Sequence, residues 1–193
     1  DQAKTLYRQF LPGPVTVVSR GLGVVAPGVE SEFGTLGVRI PAYLLVTEII
    51  KALGRPITAT SANGSGEKRP YSIEDVLTRL SGKQRALIDL VIDAGQLPTR
   101  PPSTVIDTTL ATPITLRQGE INLSGHTSSD GGDEAKLELI SRSEAETKHI
   151  AGTLLLKHWD AIQRGPIIVA LDGPLGAGKT VFAKGVAEFL GIS

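Results

Sequence analysis

Apolar runs of two kinds, separated by glycine- and proline-rich turns, divide the chain into short elements. Ala3 to Leu11 has a helical pattern, which Pro12-Gly13-Pro14 ends because proline lacks an amide donor and fixes φ. Val15 to Val18 reads as a strand, and Thr35 to Ile40 alternates as a second strand that stops at Pro41. Leu44, Leu45, Ile49, Ile50 and Leu53 recur at near-helical spacing, with Gly54 as the stop. The β-prone run Pro56 to Thr60 empties into a long polar loop, Ser61 to Ser72. Ser72 followed by Asp75 resembles a capping box and predicts a helix through Leu80. Leu90 to Asp93, Thr104 to Asp107 and Ile114 to Arg117 read as buried strands.

Asn122 to Glu134 (NLSGHTSSDGGDE) is small and polar, so a linker is expected at 123–134 between a unit at 1–122 and a unit at 135–193. In the second unit Ser143 and Glu146 form a capping box for a helix running to about Gln163. Its expected buried stripe is Ile150, Leu154, Leu155, Trp159 and Ile162. Pro166 to Leu171 is a continuous apolar run of the kind parallel sheets bury on both faces. Strands and helices alternate, so the expected class is α/β.

Composition narrows the function classes. Lys+Arg and Asp+Glu are both 20, so no global field draws the chain to nucleic acid or an anionic membrane. Gly 22 and Pro 12 predict many tight turns and some ligand-holding loops. With Cys 0, disulfides and thiolate metal sites are excluded. His126 falls in the linker, and His149 and His158 sit on one helix too far apart to share a metal. No apolar run is long enough to span a membrane and no signal-peptide profile opens the chain, which predicts a soluble, cytoplasmic protein. With Met 0, both ends read as cuts inside a longer protein.

The sharpest chemical signal is Gly173-Pro174-Leu175-Gly176-Ala177-Gly178-Lys179-Thr180, a full G-x-x-x-x-G-K-T loop after an apolar run and before a helical pattern. Glycines let backbone N–H groups turn around phosphate oxygens, and the helix N-terminus adds partial positive charge. Lys179 is expected on the β/γ-phosphates of ATP and Thr180 on Mg²⁺. The competing reading is a flexible glycine-rich turn. So little chain follows Thr180 that a second Mg²⁺ acid and a water-positioning group are missing, so this unit looks like the front half of a P-loop NTPase-like α/β domain.

A second signal lies in the first unit. Ser61, Asn63 and Ser65 follow a predicted strand end, where open α/β sheets gather ligand contacts, although Asn63-Gly64 is equally a common turn pair. Ser103 stands at a strand entry and Arg117 at a strand exit beside Gly119. An arginine there can grip a phosphate with its fork of donors or simply be solvated. Lys68-Arg69 suits a solvated turn better than an RNA patch.

PGPVT (12–16), LGVRIP (36–41), PITATSANGSG (56–66), VIDAG (91–95), PSTVID (102–107) and LRQG (116–119) together resemble, in order, the YrdC family of threonylcarbamoyl-AMP synthases. S-x-x-E-T (143–147) and LDGPLGAGKTVFAKGVAEFLGI (171–192) resemble the N-terminal half of the TsaE family, the P-loop ATPase of the same tRNA modification pathway. The resemblance implies a YrdC-like twisted mixed sheet with flanking helices, then a linker and the start of a P-loop domain. It implies synthesis of threonylcarbamoyl-adenylate from threonine, bicarbonate and ATP, with pyrophosphate released. By the family pattern Ser61 and Asn63 line the adenylate pocket, Thr16 and Ser103 lie near the substrates, and Arg117 contacts phosphate. The second unit would power the complex that moves the threonylcarbamoyl group onto tRNA, so tRNA is an indirect partner.

The family's Lys-x-Arg element does not precede Phe10, and the acid expected after the P-loop does not appear before Ser193. The chain is therefore expected to be catalytically incomplete at both sites and, with an unpaired sheet edge, poorly soluble. Two other classes compete. A non-catalytic nucleotide- or double-stranded-RNA-binding module is disfavoured by the near balance of charge, and a small-molecule kinase leaves the first unit unexplained.

Overall fold

A computed structural model describes residues 2–63, 67–123 and 138–192. In chain order its elements are α1 (Gln2–Phe10), β1 (Val15–Arg20), β2 (Thr35–Val38), α2 (Leu44–Leu53), α3 (Ile73–Leu77) and α4 (Gly82–Arg85). They continue with β3 (Thr104–Asp107), β4 (Ile114–Arg117), α5 (Glu144–Lys157), α6 (Trp159–Ile162) and α7 (Lys179–Phe189). The four strands form one mixed sheet in the order β2-β1-β3-β4. β1 runs antiparallel to β2 and parallel to β3, and β3 antiparallel to β4. The expected α/β class and mixed sheet with flanking helices are present.

Alternation along the strands builds two faces. Val15, Val17 and Ile106, all at 0% exposure, meet Leu6 of α1 and Leu123 on one face. Thr16 pairs with Val105 and Val18 with Asp107, so these four share the other face. A second apolar cluster joins Leu110 and Ile114 to Ile150 of α5, with Leu116, Leu154 and Phe182 around it.

Helices α5 and α7 cross closely at Gly185, where a Cβ would lie 2.6 Å from Lys148 Cα. Lys148 Nζ donates to Glu188 Oε1 at 2.6 Å, a bond that holds the Lys148 pKa above its ordinary value. The Ser143 cap forms as expected, its hydroxyl accepting from Glu146 N–H at 3.1 Å. Glu146 reaches back one residue further than the simple box predicts, to Arg142 N–H at 2.7 Å.

Several expectations fail for a shared physical reason. Residues 56–60, 90–93 and 166–171 form no strand, and Leu90, Ile92, Ile168 and Val169 are exposed. An apolar run becomes a strand only when a ladder partner satisfies its backbone, and none does so among the described residues. Helix α2 forms over the expected span, yet none of its residues is buried. The long helix expected to Gln163 ends at Lys157 and resumes as the short α6. The buried positions of α5 are Ile150, from the expected stripe, with Ala151, Gly152 and Thr153, while Leu154 packs partly buried against the same cluster.

The chain divides into two compact units, Asp1–Arg55 with Pro102–Ser193, and Pro56–Pro101. Helices α5 and α7 belong to the same unit as the sheet. The expected linker lies, from residue 124 onward, outside the described residues. In the smaller unit Ser72 and Asp75 cap α3 reciprocally, and Ser81 with Gln84 does the same for α4. The backbone N–H of Tyr71, with that of Ser72, holds the Asp75 pKa below its ordinary value.

Candidate functional site

Three of the expected ligand contacts meet at one edge of the sheet. The start of β1, the start of β3 and the end of β4 bring Thr16, Ser103 and Arg117 together. Thr16 Oγ1 and Ser103 Oγ stand 3.3 Å apart. Arg117 Nε and Nη2 donate to the Ser103 carbonyl at 3.2 and 3.0 Å, and Nη2 also donates to Ser103 Oγ at 3.0 Å. Ser103 is 7% exposed whereas Arg117 lies at the surface. A guanidinium fixed along one side by a backbone carbonyl keeps a defined orientation, which is what bidentate capture of an anion requires.

The neighbouring turn packs tightly against that edge. Thr104, fully buried, accepts from Gly119 N–H at 3.1 Å and Ile121 N–H at 3.3 Å, and donates to the Ile121 carbonyl at 2.6 Å. Glu120 N–H donates to the Pro102 carbonyl at 2.9 Å. The two segments come so close at Gly119 that a Cβ would strike the backbone at Pro102, Ser103 and Thr104. Gly119→Ala is therefore expected to destabilise the protein by about 1–3 kcal/mol, read as a lower urea midpoint.

Arg39 is a residue the sequence reasoning passed over, although LGVRIP had displayed it. It follows Val38, the partner of Val17, and so stands at the same edge as Thr16. Its Nε donates to the Gly13 carbonyl at 3.4 Å.

Ser61 and Asn63 belong to the smaller unit. Ser61 is exposed, and Asn63 Nδ2 donates to the Glu67 carbonyl at 2.9 Å. Ser65 lies outside the described residues.

The glycine-rich loop before α7 has the backbone its residues require. Gly173, Gly176 and Gly178 have φ of 144°, 82° and 84°, which side chains disfavour. Gly173 N–H donates to Asp172 Oδ1 at 2.8 Å. Lys179 opens α7 and folds its Nζ back onto the carbonyls of Gly173 and Pro174 at 2.6 and 2.8 Å. Thr180 follows it, exposed. Among the described residues no cluster of three or more acidic, His or Cys side chains could hold a metal.

A polar network stands at the far end of β3. Asp107, 2% exposed, accepts from Thr109 N–H at 2.8 Å and Thr109 Oγ1 at 2.6 Å, while Thr153 Oγ1 reaches its other oxygen at 3.3 Å. Thr109 spends its hydroxyl proton on the carboxylate, so it accepts from His149, whose Nε2 lies 2.6 Å away. The proton of a neutral His149 therefore sits on Nε2. Nδ1 is buried with no partner among the described residues.

Burial holds the His149 pKa below its ordinary 6.5; Asp107 opposes this, Arg20 adds to it and Glu146 opposes it. The unfolded chain then binds more protons than the folded one between the lowered value and 6.5, so stability rises with pH in that window. The contribution is complete above the unfolded value and is lost as pH falls below it. Urea titrations at pH 7.5 and 5.5 are expected to show an acid loss that shrinks in His149→Gln.

Comparison with known proteins places this edge in context. A family model described as "Telomere recombination", covering Sua5, YciO and YrdC, matches residues 1–119. The threonylcarbamoyl-AMP synthase of Pyrococcus abyssi is 37% identical over 123 residues, covering 64% of this chain and 35% of the relative. That of Schizosaccharomyces pombe is 31% identical over 188 residues, covering 95% of this chain and 45% of the relative. The structure of P. abyssi Sua5 complexed with L-threonine aligns with a TM-score of 0.56 at 36% identity, over 64% of this chain and 35% of that one. Escherichia coli YciO aligns with a TM-score of 0.55 at 31% identity, over 63% of this chain and 58% of that one. The chain thus spans between about a third and just over half the length of these relatives. No helix among the described residues is long and apolar enough to cross a membrane. With the mixed sheet in place and the family model matching residues 1–119, more than half of the chain, the chain belongs to the Sua5/YciO/YrdC family.

Proposed function

We propose that residues 1–122 serve in the synthesis of L-threonylcarbamoyladenylate from threonine, bicarbonate and ATP, for tRNA threonylcarbamoyladenosine. The observation that carries this reading is the hydrogen-bonded cluster of Thr16, Ser103 and Arg117 at one sheet edge in a chain of this family. Bicarbonate loses water to give CO2, and the threonine amine adds to it and sheds a proton, forming a carbamate. A carbamate oxygen then attacks the α-phosphorus as the bond to pyrophosphate breaks. No side chain need form a covalent bond, so the protein's work is positioning and charge neutralisation.

In this reading Arg117 contacts phosphate oxygens. Thr16 and Ser103 offer hydroxyls to the substrates, and Arg39 supplies a second cation at the same edge. Ser61 and Asn63 would line the adenylate pocket.

We further propose that residues 135–193 form a TsaE-like P-loop ATPase portion, with 123–134 as the linker, acting with the threonylcarbamoyl-transferring complex. The left-handed glycines and the placement of Lys179 and Thr180 at the start of α7 support it. Lys179 would exchange its two carbonyls for β/γ-phosphate oxygens, and Thr180 would hold Mg²⁺, whose charge offsets that of the phosphates.

Mass spectrometry of the nucleotides formed from ATP, threonine and bicarbonate tests the first reading. Threonylcarbamoyl-AMP with stoichiometric pyrophosphate is expected. Its absence from this chain and from a version extended upstream in frame would rule the synthase out.

A further inference from the structure

In the glycine-rich loop, Gly173 N–H donates at 2.8 Å to Oδ1 of the residue just before it, Asp172. The sequence explains this choice of partner. A turn aspartate ordinarily accepts from the amide two residues on, as Asp93 does from Gly95 N–H and Asp107 from Thr109 N–H, both at 2.8 Å. Two residues after Asp172 stands Pro174, which has no amide proton to give. The carboxylate therefore closes on the adjacent amide, and a bond from Oδ1 to that nitrogen brings Cγ beside it as well.

The adjacent nitrogen and Cγ are the atoms that join when an aspartate cyclises to a succinimide. Gly173 has no Cβ to crowd their approach, whereas Asp75, Asp89, Asp93 and Asp107 are followed by Val76, Leu90, Ala94 and Thr108. Asp172, Gly173 and Pro174 are exposed, so water reaches both ring carbonyls. The run 166–171 pairs with no strand among the described residues, so no ladder resists the change of backbone. A second Asp-Gly pair, Asp130–Gly131, lies outside the described residues.

We propose that Asp172–Gly173 is a site of spontaneous aspartate isomerisation, which lengthens the glycine-rich loop. With the carboxyl protonated, the Gly173 nitrogen attacks Cγ, and the amide proton leaves with the carboxyl hydroxyl as water. A second water opens the succinimide. Addition at Cγ restores aspartate. Addition at the main-chain carbonyl of Asp172 breaks its bond to Gly173 and leaves isoaspartate, joined to Gly173 through Cγ. The overall mass is unchanged, no oxidant or reductant takes part, and the main chain is longer by the Cβ carbon. That carbon precedes Gly173, whose φ is 144° and whose carbonyl lies 2.6 Å from Lys179 Nζ. The effect on nucleotide binding rests on the P-loop reading above, whereas the isomerisation rests on the Asp172–Gly173 geometry alone.

The test incubates the intact protein in mildly acidic heavy-oxygen water, folded and in urea, and digests it afterwards in ordinary water. Trypsin releases Asp172 within residues 165–179 and Asp130 within 118–136, so the two pairs are read separately. Each succinimide cycle adds one heavy oxygen, and electron-transfer fragmentation distinguishes isoaspartate from aspartate. A held approach replaces the conformational search of the free chain, so isoaspartate in 165–179 is expected to accumulate about tenfold faster in the folded protein than in urea. A folded rate equal to or below the unfolded one overturns the proposal. Asp172→Glu, whose longer side chain cannot close the same ring, is expected to abolish the signal from 165–179. Incubated parent protein is expected to lose affinity for fluorescent ADP while incubated Asp172→Glu keeps it. If isoaspartate forms at the faster folded rate but fresh parent protein binds no ADP, the P-loop reading falls and the isomerisation stands.

Discussion

Arg117→Ala is expected to cut threonylcarbamoyl-adenylate formation by about 10²–10³-fold, the usual effect of losing one donor that faces developing charge. The reason is the way Arg117 is held. Its Nε and Nη2 bond the Ser103 carbonyl at 3.2 and 3.0 Å, which fixes the plane of the guanidinium before any ligand arrives. A preset donor loses little freedom on binding, so most of its interaction with the phosphate reaches the transition state. Arg117→Lys should recover only a small part, because an ammonium cannot bond the carbonyl and an anion in one plane.

The same substitution carries a structural effect that must be separated from the catalytic one. Without Arg117 the nearly buried Ser103 loses donors to its carbonyl and hydroxyl, which costs about 1–3 kcal/mol. Ser103→Ala removes the hydroxyl but leaves the carbonyl bonds in place. Pre-steady-state measurement of adenylate with each variant, alongside urea unfolding, distinguishes the two. An Arg117→Ala protein that forms adenylate at the parental rate would move the phosphate contact elsewhere.

How far the sequence displayed this arrangement differs from residue to residue. The strands that carry Val15, Val17 and Ile106 were legible as short apolar runs between turns, and the structure buries those three positions fully. Ser103 and Arg117 stood out as strand-end polar residues, and their meeting required only that β3 and β4 pair. Leu90 to Asp93 and Pro166 to Leu171 misled, because local apolarity cannot reveal whether a ladder partner exists, and among the described residues these runs have none. His149 was hidden for the opposite reason. On its own helix it looks like a solitary histidine, and its partners Asp107 and Thr109 come from the end of β3 and just after it, far off in sequence. Gly152 and Gly185 carried no signal at all in the helical pattern, since their value is room for Phe33 and Lys148 that only tertiary packing makes visible.

The glycine-rich loop before α7 carries the sharpest motif in the sequence, and Lys179→Ala gives the proposed P-loop a demanding test. In the free loop Lys179 Nζ already bonds the carbonyls of Gly173 and Pro174 at 2.6 and 2.8 Å. Nucleotide binding therefore exchanges two charge–dipole contacts for contacts with charged phosphate oxygens, and only the difference appears as affinity. Charge-assisted bonds exceed ordinary ones by about 1 kcal/mol or more each. Two of them predict roughly a 30- to 100-fold weaker dissociation constant for ADP in Lys179→Ala. The carbonyls left behind lie on exposed residues, where water replaces the ammonium, so the melting temperature should barely move. Fluorescent ADP titration, repeated in an Arg117→Ala background to silence the sheet edge, isolates this site. Equal affinity with and without Lys179 would mean that the glycine-rich turn before α7 is only a turn.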